Sequence, residues 1–222
     1  MNPKPPINLP AQRLYLASRS PRRRDLLLQL GIAFDTLLFR SDQRTDPEVD
    51  ETPLAQESPR IYVERVAIAK AAYGVKLIQE RRLRVQPVLA ADTTLELDGE
   101  IIGKPIDHAD AAAVLRRLSG KTHRVLTAVA VAAGTTQNTG FGLGGEAPSC
   151  VVNLNEVRFK VLSDEEIAQY VASGEPMDKA GAYGIQGRAG RFVEHLSGSH
   201  TGVMGLPLYE TAELLGKFGF KV

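Results

Sequence analysis

Short β-branched runs alternate with capped helix starts along this chain, and that alternation limits the fold more than any other feature. Residues 14–17 form an apolar run that reads as a buried strand. Ser20-Pro21 follows as an N-cap and first helical residue. Serine can accept from an orphan helix amide there, and proline loses no hydrogen bond. Leu26, Leu27 and Leu30 supply the apolar stripe of that helix up to Gly31. Ser58-Pro59 opens a second helix in the same way, with Ile61, Val63, Val66 and Ala67 as candidate core positions. Residues 87–97 are strand-like, and Asp98-Gly99 is a hairpin turn into residues 100–102. Asp107 caps a helix running through Leu118 to Gly120. Residues 125–132 and 151–161 are rich in β-branched side chains, and Ser163 with Glu166 forms a capping box for a helix ending at Gly174. A strand over 191–195 and a helix over 207–218 complete the pattern, which predicts an α/β domain with a mixed sheet.

Composition narrows the class. With 222 residues, 43% of them hydrophobic, the chain can bury one large core or two small lobes. Its 27 Lys+Arg against 26 Asp+Glu leave a net charge of +1, so nothing general draws it to nucleic acid or acidic lipid. Cys150 is the single cysteine, which excludes an internal disulfide and suits a reducing compartment. The first ten residues carry prolines where a signal peptide needs an apolar region. The longest apolar stretch, residues 125–133, is about half of the ~20 residues that span a bilayer. The expectation is a soluble, cytoplasmic protein with neither a membrane nor a nucleic-acid partner. Three segments read as surface additions: the Pro-rich arm to residue 10, the charged stretch 40–59, and the Gly/Thr-rich stretch 134–149.

The chemistry is concentrated in a few short segments. Arg22, Arg23 and Arg24 occupy the first turn of a helix, where the macrodipole disfavours cations. An anion docked there reverses the penalty, because helix N-terminal amides and guanidinium groups both bind phosphate. Ser18 and Ser20 add hydroxyl donors on the approaching turn. Asp92 follows the apolar run 88–91, which places its carboxylate at or near the exposed end of a strand, where it can hold a divalent cation or orient a water. Lys104 follows the hairpin and can return to the same edge. Lys70 emerges from an apolar helical stretch, where snorkelling is the plain account. Asp50 and Glu51 form a carboxylate pair of the kind that hard metal ions need. In residues 177–187 the glycines permit close backbone approach, and Gln186 offers a paired donor and acceptor to a base edge. A glycine-rich connection between two strands explains that segment equally well. The four histidines lack zinc-type spacing, and neither a P-loop nor a dinucleotide fingerprint is present.

Leu-Ala-Ser-Arg-Ser-Pro-Arg-Arg, Ala-Asp-Thr, Gly-Lys-Pro, Leu-Arg-Arg-Leu-Ser-Gly and Asp-Lys-Ala-Gly-Ala-Tyr-Gly-Ile-Gln-Gly occur here in this order. Together they resemble the Maf proteins, nucleoside triphosphate pyrophosphatases once named for septum formation. The likeness covers residues 13–218, leaving 1–12 as an arm before a single domain, 13–222. It implies a Maf/ITPase-like α/β fold, with a long mixed sheet, two lobes around a central cleft and a homodimer. By the same resemblance, Asp92 is the catalytic carboxylate that activates water. Asp50 or Glu51 joins Asp92 in holding Mg²⁺ or Mn²⁺, and Ser18, Arg22, Arg23, Lys70 and Lys104 grip the triphosphate. Arg22, Thr93 and Gln186 match the discriminating sites of the dTTP/UTP branch. Removal of modified pyrimidine nucleotides and an effect on cell division fall within the same resemblance. The alternative is a regulator of septum formation without turnover, sensing nucleotides or binding nucleic acid through residues 22–24. The +1 charge and 6% aromatic content offer that reading little. On the enzyme reading, a cationic set (Arg22, Arg23, Lys70, Lys104) faces an acidic set (Asp50, Glu51, Asp92) across one cleft.

Overall fold

The computed structural model describes residues 12–39, 49–134 and 147–222. The N-terminal arm to residue 11, residues 40–48 and residues 135–146 lie outside the described residues, so most of the three surface additions do too. In chain order the elements are β1 (Arg13–Leu16), α1 (Pro21–Gln29), β2 (Ala33–Thr36), α2 (Pro59–Glu80), β3 (Val88–Leu97), β4 (Glu100–Ile102) and α3 (His108–Leu118). They continue with β5 (Thr122–Ala132), β6 (Ser149–Phe159), α4 (Asp164–Ala172), β7 (Val193–Ser197), α5 (His200–Met204) and α6 (Leu208–Gly216). Three short 3-10 turns, Glu175–Asp178, Ala180–Ala182 and Arg188–Phe192, join α4 to β7.

The helix starts form where the caps predict. Ser20 accepts from the Arg23 amide, Ser58 from that of Ile61 and Asp107 from that of Asp110, and both halves of the Ser163/Glu166 capping box are made. Ile61 departs from expectation, being 59% exposed. The buried stripe of α2 runs through Val63, Val66, Ala67, Lys70, Ala71 and Gly74, and Ile61 lies two residues, roughly 200°, off its start. The last strand begins at Val193, because residues 188–192 form a 3-10 turn instead.

Among the described residues, seven strands make one mixed sheet, in the order β2-β1-β3-β5-β6-β7 with β4 beside β3. β1 runs parallel to both β2 and β3, while the pairs β3–β4, β3–β5, β5–β6 and β6–β7 are antiparallel. Helix α2 covers one face of the sheet, burying Val88, Ala90, Leu126, Ala128 and Ala130. The other face packs Leu89, Ala91, Val129 and Val131 with Leu26 and Leu27 of α1 and Leu214 and Leu215 of α6. A third cluster lies at the far end of the long strands, where Leu95, Leu97, Val125 and Phe159 meet α3 and α4. Two lobes therefore share the same strands, and the strand pleat decides what each face offers to the space between them.

Candidate active site

Period-two alternation along β3 sends Asp92 to the face that carries Val88 and Ala90, and Thr93 to the face that carries Leu89 and Ala91. Each meets a cation there. Asp92 Oδ1 accepts from Lys70 Nζ of α2 at 2.9 Å, and the same ammonium contacts Glu51 Oε1 at 2.7 Å. Both Lys70 and Asp92 are buried. Burial works against the Lys70 charge, but Asp92 and Glu51 outweigh it and hold its pKa above the ordinary value. On the other face, Thr93 Oγ1 accepts from Arg23 Nη2 at 3.1 Å. Arg23 also donates from Nη1 to Ser18 Oγ at 3.4 Å and from Nε to the Gly205 carbonyl at 2.8 Å. Desolvation in the cleft wall pulls the Arg23 pKa down, with the Asp92 charge opposing it.

These groups line one cleft of about 470 Å³, large enough for a nucleotide. Residues 17–23 make one wall, Glu51, Lys70 and residues 91–95 the floor, and residues 177–186 the opposite wall. Arg22 reaches across it, with Nη1 3.4 Å from Asp178 Oδ2. The opposite wall is held from behind by Tyr170, whose hydroxyl accepts from the Gly184 amide and donates to Glu175. A Cβ at Gly184 would stand 2.9 Å from Lys179 Cε and 3.1 Å from Gln186 Nε2, so the bare backbone lets both side chains sit over it.

The structure brings Ser18, Arg22, Arg23, Glu51, Lys70, Asp92, Thr93, Lys104 and Gln186 into this cleft. Asp50 is absent from its lining, exposed, and occupied in accepting from the Thr52 amide at 2.8 Å. The charges are interleaved, not ranged on two sides: Lys70 separates Glu51 from Asp92, and Asp178 faces Arg22. Arg19, Asp178, Lys179 and Tyr183 line the cleft without having been singled out from the sequence, although Asp178, Lys179 and Tyr183 stand inside the Asp-Lys-Ala-Gly-Ala-Tyr-Gly-Ile-Gln-Gly motif.

Glu51 and Asp92 form a hard-oxygen donor pair already converging on one positive centre, the Lys70 ammonium. No group of three His, Cys, Asp or Glu side chains able to cage a metal occurs among the described residues. That donor set suits an ion of the Mg²⁺ type, bound by one or two carboxylates and completed by substrate phosphate and water.

A family model described as Maf-like protein matches residues 13–218, the span that carries every wall of this cleft. The chain belongs to the Maf family. Maf relatives named dTTP/UTP pyrophosphatase include one from Dechloromonas aromatica, 63% identical over 210 residues, covering 94% of this chain and 98% of the relative. Another, from Aromatoleum aromaticum, is 56% identical over 94% of this chain and 96% of its own. Among solved structures, a dITP/XTP pyrophosphatase from Mycobacterium abscessus is a distant likeness, at 20% identity and a TM-score of 0.38 over 67% of this chain and 74% of that one.

Proposed function

We propose that this protein hydrolyses dTTP and UTP to the nucleoside monophosphate and pyrophosphate. The observation that carries the reading is the Glu51–Lys70–Asp92 cluster at the floor of a cleft walled by Arg22, Arg23 and Lys104. The names of the Maf relatives supply the substrate class.

The chain's own groups divide the work. Lys70 fixes the Asp92 carboxylate through Oδ1, so Oδ2 is the oxygen left to orient a water and take its proton. The water oxygen bonds to the α-phosphorus while the bond from that phosphorus to the bridging oxygen breaks, and the electron pair leaves with pyrophosphate. Arg22, Arg23, Lys70 and Lys104 stabilise the charge that develops on the leaving oxygens. Ser18, Arg23 and Thr93 are already tied together, so the phosphate-binding turn needs little reorganisation when substrate arrives. Glu51 and Asp92 would hold Mg²⁺ or Mn²⁺, which supplies further positive charge and lowers the pKa of a bound water. Gln186, on the opposite wall, offers one donor and one acceptor to the base. The homodimer and the cytoplasmic location implied by the resemblance belong to the same proposal; sedimentation reads the first.

The test is turnover of dTTP, UTP, CTP and 7-methyl-GTP with Mg²⁺ or Mn²⁺, scored separately for pyrophosphate and orthophosphate. Pyrophosphate from dTTP and UTP is expected. Asp92→Asn should lower kcat by roughly 10²–10⁴-fold, as expected for a general base, and leave dTTP affinity within a few-fold. Release of orthophosphate, or of nothing, from every nucleotide would overturn the proposal.

A further inference from the structure

Glu51 reaches the cleft floor from a stretch with no regular structure of its own. Residues 49–57 belong to neither helix nor strand, so no ladder or helical turn fixes the direction of its side chain. Helix α2 supplies the constraint instead, and it falls on consecutive carbonyls. Arg65 Nη1 donates to the Asp50 carbonyl, the Tyr62 hydroxyl to that of Glu51 and Arg65 Nη2 to that of Thr52, each at 3.0 Å. The Arg65 fork is itself seated, with Nε and Nη2 donating to the two Glu57 carboxylate oxygens at 2.7 and 2.9 Å. Glu57 Oε2 also accepts from the Leu54 amide, and its side chain is only 3% exposed. Tyr62 and Arg65 stand three residues apart on α2 and so share a face of it.

A peptide group is planar, so a bond that holds its oxygen restrains the whole plane. The planes that carry the Asp50 and Glu51 oxygens are the two that flank the Cα of Glu51. Restraining both sets φ and ψ at that residue, and with them the direction of its Cβ. The side chain leaves toward Lys70, which is carried by the same helix, and Glu51 Oε1 lies 2.7 Å from Lys70 Nζ. Asp50 gains no such direction, because its carboxylate is spent on the Thr52 amide. Tyr62, Arg65 and Glu57 are all absent from the cleft lining, so whatever they do for the site passes through Glu51.

We propose that Tyr62 and Arg65 are positioning residues that aim the Glu51 carboxylate at the cleft floor, where it serves as a donor to the divalent cation. The proposal rests on the metal-dependent hydrolase reading and adds the residues that orient one of its two carboxylates. Glu51 and Lys70 are thereby referred to one rigid element, α2, and Asp92 meets them from β3.

The experiment measures Mn²⁺ affinity by electron paramagnetic resonance with α,β-imido dTTP, whose P–N–P bridge resists cleavage, and records the melting temperature of each protein beside it. The proteins are the wild type, Tyr62→Phe, Arg65→Lys, Glu51→Gln and the double variant Tyr62→Phe/Glu51→Gln. Tyr62→Phe keeps the ring and removes the donor to the Glu51 carbonyl. Mn²⁺ should bind it about two- to tenfold more weakly, the span of one neutral hydrogen bond. Arg65→Lys keeps the charge but not the fork and should weaken Mn²⁺ at least as much. In the Glu51→Gln background Tyr62→Phe should weaken Mn²⁺ no further, although the melting temperature still falls. A Tyr62→Phe protein with a lowered melting temperature and unchanged Mn²⁺ affinity has only a structural tyrosine, and that result overturns the proposal. An equal loss of Mn²⁺ affinity with and without Glu51 overturns it too, as does a wild type that binds Mn²⁺ no better than Glu51→Gln. Should Arg65→Lys fail to fold, Tyr62→Phe decides by the same criteria. A wild type that releases pyrophosphate from no nucleotide sinks the hydrolase reading instead. Mn²⁺ affinity is then measured with inorganic pyrophosphate in place of the analogue, where weaker binding by Tyr62→Phe again supports the positioning and unchanged binding overturns it.

Discussion

Lys70 and His123 are both buried titratable side chains, yet their pKa values move in opposite directions, and their partners explain why. Lys70 has two carboxylates within 2.9 Å and keeps its charge. His123 has one neutral partner, the Tyr183 hydroxyl 2.9 Å from Nε2, and its Nδ1 has none. Desolvation acts alone there and pulls the His123 pKa down to about 4 from an ordinary 6.5. The unfolded chain binds this proton more readily than the folded one. Stability is therefore full above about pH 6.5, falls as the pH drops, and stops falling on this account near pH 4. The shift corresponds to about 3 kcal/mol across that window. Urea unfolding of the wild type between pH 7 and 4 should show the loss, and His123→Gln, which retains a partner for Tyr183 without titrating, should show that much less. Carboxylates also respond to acid, so the difference between the two proteins is the quantity to follow. Identical acid limbs would remove the argument. In the sequence, His123 is one of four scattered histidines, and only the aromatic packing against Phe159 and Tyr183 sets it apart.

At the scale of elements, what could be read in advance depended on whether the signal was local. Helices α1 to α4 begin at their caps because a side-chain oxygen two or three residues from an orphan amide is a local fact. Helix α5, with five residues, is too short for any periodicity to declare itself, and β2 is four half-exposed residues. The adjacent carboxylates Asp50 and Glu51 could not be separated in the sequence because they sit in an irregular segment, where no periodicity fixes side-chain direction. Tyr62 and Arg65 were hidden for a different reason: a tyrosine and an arginine near the start of a helix are what any helix surface tolerates. The short helix nevertheless has a strict requirement. A Cβ on Gly202 would lie 2.1 Å from Asn153 Oδ1 and 2.9 Å from Asn155 Nδ2. Neither amide can step aside, because Asn153 donates to Glu210, Asn155 donates to Asn153, and Asn155 Oδ1 accepts from the Ser199 amide. Gly202→Ala should cost about 1–3 kcal/mol, the range for overpacking. Gly216→Ala in α6, where nothing lies within 4 Å of the added methyl group, should be neutral or slightly stabilising. Chemical denaturation of both variants checks the contrast, and equal midpoints would show that the asparagine network yields.

For the whole molecule, a near-zero net charge coexists with a densely charged cleft, in which Lys70 pairs with Glu51 and Asp92, and Arg22 with Asp178. The same strands that build the cleft also link the lobes. β3 alone contributes Val88 and Ala90 to the cluster under α2, Leu89 and Ala91 to the cluster under α1 and α6, and Leu95 and Leu97 to the cluster at α3 and α4. Its ladder with β5 runs unbroken from Val88–Ala132 to Glu96–Arg124. Melting one lobe alone would cut that ladder near Asp92 and expose buried amides on both sides of the cut. Residues 13–222 should therefore unfold as one unit. Differential scanning calorimetry should show a single transition with a total enthalpy of about 150 kcal/mol, equal to the van't Hoff value. The cleft is lined by residues of both lobes, so a nucleotide bound in it should raise that one transition as a whole, by mass action on the folded state. Two resolved peaks, with only one of them moved by dTTP, would mean that the lobes are separate folding units and that the cleft lies on a boundary, not within a domain.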